Sequence, residues 1–220
     1  MTEVGESMAN PPPIGKVSMR RKRSVQRRLD ILRAAMGIFG RRGYQRGSLI
    51  EIAEVVGITH AGILHHFGSK DELLIEVLRY RDHADFEELD VDHLPEGLEL
   101  FAHLVRTARL NATRPGIVQS YAVLSAESVT DDHPAQEWFR ARFAGLRFIL
   151  ASSLREVCEP GTMPDEADIQ AAASVIIGLM DGLQIQWLLD QSSVDLAHTT
   201  AFGINAVLAS LTGGAVTKVE

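Results

Sequence analysis

The chain has 220 residues, of which 45% are hydrophobic and 23% charged, and it contains a single cysteine. This composition, with a mean hydropathy of +0.02, is typical of a folded globular protein and excludes collagen-like, fully disordered and disulfide-scaffold classes. No stretch approaches the roughly 18 uninterrupted apolar residues of a membrane-spanning helix, and no apolar run follows the basic N-terminal residues as a secretory signal requires. We therefore expect a cytoplasmic protein with no membrane partner.

The net charge of −7 hides two parts of opposite sign. Residues 1–81 hold 14 Lys and Arg against 8 Asp and Glu, whereas the remainder holds 8 against 21. Within residues 16–46, eleven basic residues face Asp30 alone. This bias is typical of a surface that meets a polyanion, although a solvated basic tail would explain an isolated run of charge equally well.

The N-terminal elements follow from proline content and hydrophobic period. Residues 1–23 include three consecutive prolines and little that can be buried, which predicts a disordered basic arm. From Val25 to Phe39 apolar residues recur every three or four positions, so an amphipathic helix is expected there, with Ser24 as its cap and Gly43 near its end.

The next two elements are short and closely spaced. Ser48 with Glu51 predicts a capping box at the start of a second helix, and Gly57 predicts its left-handed end. Thr59 is placed to cap a third helix that runs to Phe67. Two short helices joined by a tight glycine turn indicate a helix-turn-helix, which we assign to residues 24–70.

The remaining residues, 71–220, also carry a helical period. Ser69 with Glu72 predicts the cap of a fourth helix that reaches about residue 88. Turn residues then separate helices expected near 96–112, 116–129, 135–157, 165–190 and 194–211. No strand alternation is present, so the fold class is all-α, with a three-helix DNA-binding type of domain followed by a larger helical domain.

The last two helices have apolar residues on several faces, and no later element is available to cover them. We predict that they form the interface of a two-fold homodimer, while the core of the same chain is the alternative. The interface residues predicted from the period are Ile169, Ala173, Ile176, Met180, Leu183, Trp187, Ala201, Ile204, Leu208 and Leu211.

Caps, glycines and apolar positions agree in one shared pattern: Gly43-Tyr44, Ser48, Ile52-Ala53-Glu54, Gly57-Ile58-Thr59, His65, Phe67, Ser69-Lys70 and Leu73-Leu74. In this pattern the sequence resembles the TetR family of transcriptional regulators, and Ile176–Asp190 is similar to the penultimate helix of many members. The resemblance implies a homodimeric repressor whose C-terminal domain binds a small molecule and thereby releases double-stranded operator DNA.

The candidate DNA contacts combine groove geometry with that resemblance. Residues at the start of the third helix are expected to reach base edges, while Lys70 and His65 match phosphate contacts of the family. For Lys70, His65, Ser48 and Tyr44, a purely structural role as surface residue, packing residue or cap is the alternative. The full set is Arg20, Arg21, Arg23, Tyr44, Ser48, Thr59, His60, Ala61, Leu64, His65 and Lys70.

Three positions depart from the family pattern. Leu64 stands where tyrosine is usual, Gly62 where a hydroxyl-bearing residue is frequent, and Gly47 where threonine is common. Each departure removes a hydrogen-bonding group. Leu64 is instead suited to contact a thymine methyl group, because apolar side chains read that base edge.

A ligand pocket is expected among the helices from residue 96 to residue 190, mainly apolar with one or two polar anchors. The larger side chains there are the candidates, although core packing explains each of them as well. They are His103, Arg106, Gln119, Tyr121, Trp138, Phe148, Gln184 and Trp187.

The sequence contains no complete motif for catalysis or metal binding. Gly57 and Gly62 have the spacing of a phosphate-binding loop, but Ile63 and Leu64 replace its lysine and hydroxyl residue. Adjacent His65 and His66 cannot chelate as an i, i+4 pair does. We expect no enzyme activity, cofactor or metal; the alternative is an all-α enzyme or small-molecule-binding protein whose basic arm binds acidic partners non-specifically.

Overall fold

We describe residues 14–86, 95–158, 164–214 and 218–219 of a computed structural model. These residues form nine α-helices and no strand, which confirms the all-α class. The helices are α1 Ile14–Arg46, α2 Leu49–Val56, α3 His60–Phe67, α4 Lys70–Phe86, α5 Gly97–Asn111, α6 Pro115–Glu127, α7 Gln136–Val157, α8 Glu166–Leu189 and α9 Leu196–Thr212.

The start of α1 corrects one expectation. Residues 14–23, predicted as part of a disordered arm, are helical, while residues 1–13 lie outside the described chain. After Pro13 nothing in the sequence interrupts the helix, because the segment consists mainly of Lys, Arg, Met and Val, which a helix tolerates well. The basic residues near the N-terminus are therefore fixed on a helix that continues into the domain core.

Local turn chemistry sets the boundaries of α2 and α3 as predicted. Gly57 adopts the left-handed conformation at φ 70° and ends α2, and the Thr59 hydroxyl accepts a hydrogen bond from the Gly62 N–H at 3.1 Å. The Ser48 hydroxyl caps α2 by accepting from the Ile50 N–H. The expected reciprocal partner, Glu51, instead pairs with Arg42 at 3.3 Å.

The two parts of the chain share one core. A cluster built on α1–α4, with Phe39 and Leu74 at its centre, extends to Tyr121 of α6 and Phe139 of α7. Helices α1 and α6 pack closely because Gly40 has no side chain: a Cβ there would lie 3.0 Å from that of Ser120. Movements of α6 and of the helix-turn-helix are thus mechanically connected.

A second core cluster joins α5, α7, α8 and α9. Helix α8 has the length and hydropathy of a membrane-crossing helix; packing explains the apolar residues of its inner face, since Ile169, Ala173 and Ile176 are buried in this cluster. Val219 is anchored there too, by paired hydrogen bonds between its backbone and the Asn205 amide at 2.9 and 3.0 Å.

Candidate DNA-binding surface and effector cavity

The first turns of α3 present an exposed face. His60, Ala61 and His65 are exposed and Leu64 is half-buried, whereas Ile63 and Phe67 on the opposite side are buried in the domain core. The cap formed by Thr59 leaves the start of the helix at the molecular surface. We call residues 60, 61, 64 and 65 the reading face, because a helix docked by its N-terminal turns offers these side chains to base edges and to the flanking phosphates.

The capping hydroxyls retain a second capacity. In their caps the Ser48 and Thr59 oxygens act as acceptors, so each hydroxyl proton stays available to a phosphate oxygen. Ser48 stands at the start of α2, and Thr59 stands at the start of α3, directly before the reading face. Their structural role and a role in phosphate binding are therefore compatible.

Tyr44 differs from the expectation of a phosphate contact. Its hydroxyl donates a hydrogen bond to the Asp71 carboxylate, its N–H donates to Glu127 at 2.6 Å, and only 6% of its surface is exposed. Burial, followed by the hydrogen bond and charge of Asp71, raises the pKa of the Tyr44 phenol. Tyr44 is thus a packing residue that connects α1, α4 and α6, and it does not belong to the set of DNA contacts.

Lys70, the first residue of α4, packs on this tyrosine. Its Nζ lies 4.3 Å from the Tyr44 ring centroid and donates to the Gln45 carbonyl at 3.4 Å. Partial burial lowers the pKa of Lys70, an effect that the charges of Asp71 and Glu127 oppose. The ring holds the ammonium group in position at the helix start, where two of its three N–H donors remain for a phosphate.

The basic residues of α1 have two different roles. Arg21 and Arg23 are exposed, as a phosphate contact requires, while the Arg20 side chain lies outside the described residues. Arg27 donates to the Val56 carbonyl at 3.0 Å, and Arg28 donates to the His66 carbonyl at 2.8 Å. Composition alone did not reveal that Arg27 and Arg28 brace the ends of α2 and α3.

A cavity of about 160 Å³ lies between α5, α7 and α8. One wall is a polar stripe on α5, formed by His103, Thr107 and Asn111 at successive turns, and the facing walls are mainly aliphatic. Leu150 and Ile176 belong to these aliphatic walls, and so do Leu146, Ile149, Ile177 and Met180; Leu104 also lines the cavity, from α5 itself.

Charged side chains close one end of this cavity. Arg81 of α4 pairs with Asp82 at 3.2 Å and stacks 4.1 Å over the Tyr121 ring, and Arg142 of α7 also pairs with Asp82. Asp181 of α8 lies near both arginines; burial raises the pKa of its carboxyl group and the two positive charges oppose that effect. The end of α4 thus forms part of the cavity wall.

Of the predicted pocket residues, His103, Tyr121 and Gln184 line this cavity. The other five predicted residues do not line it. Arg106, Gln119 and Phe148 are exposed because they lie on outward faces of their helices, whereas Trp138 and Trp187 pack against other core clusters. Asn111, Arg142 and Asp181, and with them Arg81, were missed, since each looks in sequence like an ordinary surface polar residue.

The structure also places the predicted dimer residues away from the free surface of the chain. Seven of them are buried inside the chain's own core, namely Ile169, Ala173, Ile176, Leu183, Trp187, Ile204 and Leu208. Met180, Ala201 and Leu211 are partly buried against the same core. The stripe counted from the period faces inward, because α6 and α7 pack on α8, α5 packs on α9, and α8 and α9 pack on each other.

The opposite face of α8 is apolar and uncovered. Val175, Ile185 and Leu189 are exposed by 55%, 50% and 83%, and nothing lies within 4 Å of a Cβ built at Gly178 or Gly182. These five residues repeat every three or four positions and form what we call the α8 stripe. Phe202 of α9 is 71% exposed and borders an open surface groove of about 710 Å³ between α5 and α9.

Within the described part of the chain, no group of three or more His, Cys, Asp or Glu side chains is placed to hold a metal ion. Within that same part, Asp132 adopts a left-handed φ of 58° in the turn before α7. His133 caps this turn through its Nδ1, which accepts the Ala135 N–H at 3.2 Å.

Comparison with known proteins agrees with this architecture. Residues 31–77 match the model described as bacterial regulatory proteins of the tetR family, and residues 99–211 match the C-terminal domain of BetI-type transcriptional repressors. The HTH-type transcriptional regulator TtgR of Pseudomonas putida is 31% identical over 192 residues, which cover 80% of this chain and 87% of TtgR.

Solved structures show the same fold. A complex of SmeT with triclosan superposes with a TM-score of 0.70 at 19% identity, covering 88% of this chain and 95% of that one. The regulator FadR of Bacillus subtilis, in complex with stearoyl-CoA, gives a TM-score of 0.65 at 20% identity, covering 86% and 99%. With two family models that together match most of its length, this chain belongs to the tetR family of DNA-binding transcriptional regulators.

Proposed function

We propose that the protein is a cytoplasmic, homodimeric repressor that leaves its operator DNA when a small, largely apolar molecule occupies the cavity between α5, α7 and α8. The observation that carries the proposal is the reading face of α3, which is exposed, capped and flanked by basic groups. Membership of the tetR family, whose members are bacterial regulatory proteins, supports this proposal.

In this proposal the two classes of DNA contact come from different residues. His60, Ala61 and Leu64 face base edges in the major groove, with Leu64 against a thymine methyl group. The phosphates are bound by Lys70 and His65, and by Arg20, Arg21, Arg23, Ser48 and Thr59. Such contacts fix the position of the helix on the duplex without reading its sequence.

The α8 stripe is the proposed surface of dimerisation. Its glycines allow a second helix to approach closely, while its exposed valine, isoleucine and leucine supply apolar area to bury. Phe202 on the following helix, α9, is also an exposed apolar residue, and we assign it to the same interface. A palindromic operator requires a two-fold axis that leaves both reading faces on one side of the dimer.

Effector release follows from the path of α4. This helix begins at Lys70, beside the DNA, and its Arg81 lies in the cavity wall, about 16 Å further along the helix axis. Two recognition helices engage successive major grooves only at a spacing of about 34 Å. A molecule that displaces the end of α4 therefore favours a spacing that DNA does not accept.

Footprinting on the DNA upstream of the protein's own coding region tests the DNA-binding part. A protected palindrome supports the proposal, whereas salt-sensitive binding with no preferred sequence supports non-specific attraction to polyanions instead. The release mechanism is tested by reciprocity, because an effector that weakens operator binding must itself bind less tightly, by the same factor, in the presence of operator. Equal effector affinity with and without operator would contradict the coupling.

A further inference from the structure

The polar wall of the cavity contains one donor that is prepared for a ligand. Asn111 ends α5 with 1% of its surface exposed, and it lines the cavity. Within the described residues its Nδ2 has no hydrogen-bond partner. An amide N–H buried in this way is costly, and native proteins rarely retain one without a reason.

The orientation of this amide is fixed by its neighbour. Both Nε and Nη2 of Arg114 donate to the Asn111 Oδ1, at 3.0 and 2.8 Å. These two charge-assisted bonds hold the oxygen on the side of Arg114, so the amide nitrogen occupies the other side. Rotation of the amide would break both bonds and place two N–H donors against a guanidinium group.

The other members of the α5 stripe have partners. The His103 Nε2 and the Thr107 Oγ1 lie 3.3 Å apart and bond to each other. Asn111 therefore differs from them in offering a donor that the protein itself does not use. Asn111 shares the cavity with the aliphatic residues of the facing walls, and in such an apolar space a hydrogen bond is strong because water does not compete.

We infer that Asn111 is the polar anchor of the effector cavity and that it selects small apolar molecules carrying a hydrogen-bond acceptor, such as a ring ketone. The inference rests on the proposed effector cavity. A volume of about 160 Å³ is close to that of an engineered cavity, about 150 Å³, that binds benzene, so the ligand class is a single substituted ring.

Two probes of nearly the same shape isolate this hydrogen bond. Acetophenone carries a carbonyl oxygen where α-methylstyrene carries a methylene group, and both are single-ring molecules with the same number of heavy atoms. We expect the wild-type protein to bind acetophenone about tenfold more tightly, because only the ketone satisfies the buried donor. Dissociation constants are measured by NMR-monitored titration of the full-length protein.

Three variants complete the test. Asn111→Leu keeps the approximate shape but removes the donor, and we expect it to bind the two probes equally. Asn111→Asp keeps an oxygen for Arg114 and turns an acceptor toward the cavity, so the preference for the ketone should vanish or reverse. Thr107→Val is the matched control on the same wall, and it should keep the tenfold ratio.

Each other outcome contradicts the inference. If the wild type binds both probes equally, the Asn111 donor is satisfied in some other way, and if the preference survives in Asn111→Leu, another group recognises the oxygen. If neither probe binds, the ligand class is wrong. Operator binding measured on the same samples separates these failures from failure of the proposed DNA-binding function.

Discussion

The side chains of the reading face and those of the cavity between α5, α7 and α8 are held in position in opposite ways. At the reading face, the polar groups of the turn between α2 and α3 are satisfied within a few residues, by Thr59 and the left-handed Gly57. In the cavity, side chains from α4, α5, α7 and α8 meet only through the tertiary fold. The comparison shows why the DNA-binding half of a regulator can be recognised from local sequence while its ligand site cannot.

The largest expected effect concerns the surface that should unite two reading faces. Phe202→Glu places a charge on the exposed apolar surface of α9, and we expect the dimer to dissociate at micromolar concentration. Operator affinity should then fall by roughly 100-fold or more, because the two half-sites are no longer bound by one linked molecule. Analytical ultracentrifugation and operator titration measure the two effects.

Val129→Glu is the matched control for this variant. Val129 is also an exposed apolar residue, at 78%, but it lies between α6 and α7, away from α8 and α9. It should leave both dimerisation and operator affinity unchanged. A dimeric Phe202→Glu protein would show that the two copies associate through another surface.

The helices themselves were predictable because their signals are local. The caps at Ser48 and Thr59 and the glycine at position 57 fixed the boundaries of α2 and α3, and the prediction of 165–190 for α8 is close to the observed Glu166–Leu189. The orientation of each helix about its axis was less predictable. The apolar period of α8 does not distinguish the face covered by α6, α7 and α9 from the uncovered stripe at Val175 and Ile185.

The glycines of the DNA-binding half allow a second prediction. A Cβ at Gly47 would lie 2.5 Å from the Phe39 ring, so Gly47→Thr, although it restores a hydroxyl common in the family, should lower the free energy of unfolding by about 1–3 kcal/mol through overpacking. In contrast, Gly62 has space for a side chain, its nearest neighbour being Thr59 at 3.4 Å. Gly62→Ser should stabilise α3 by a few tenths of a kcal/mol, roughly the difference in helix propensity.

Chemical denaturation of both variants measures the pair. Equal stability of Gly47→Thr and wild type would mean that Phe39 moves aside without cost, contrary to the close packing of this core. A destabilised Gly62→Ser would mean that the start of α3 depends on the backbone freedom of glycine rather than on its cap.

A third prediction separates positioning from reading at the DNA interface. Lys70→Ala should weaken binding to all sequences alike and reduce the slope of log affinity against log salt by about 1, because one phosphate contact is lost. His60→Ala should change the preference among base pairs by about 1 kcal/mol, the value of one hydrogen bond, with little change in that slope. Titrations of operator and base-substituted operators at several salt concentrations distinguish them; identical behaviour of the two variants would place the reading face elsewhere.

The last expected effect depends on pH and lies where the two halves meet. His133 is 4% exposed and packs edge-on against the Tyr44 ring; burial lowers the pKa of its imidazole, while the charges of Glu127 and Asp71 oppose that shift. As the pH falls below about 6.5, the ordinary histidine pKa, the unfolded chain binds a proton that the native ring does not, so stability is lost until the native pKa is passed. In His133→Asn, whose side-chain oxygen can accept the Ala135 N–H, the loss of unfolding free energy between pH 7 and pH 5.5 should be smaller by up to about 1 kcal/mol, since one proton is worth at most about 1.4 kcal/mol per pH unit. Urea denaturation at pH 7 and pH 5.5 measures this loss of unfolding free energy in both proteins. Equal losses would show that the imidazole binds its proton as readily in the native protein as in the unfolded chain. That result would require the charges of Glu127 and Asp71 to outweigh the burial of the ring.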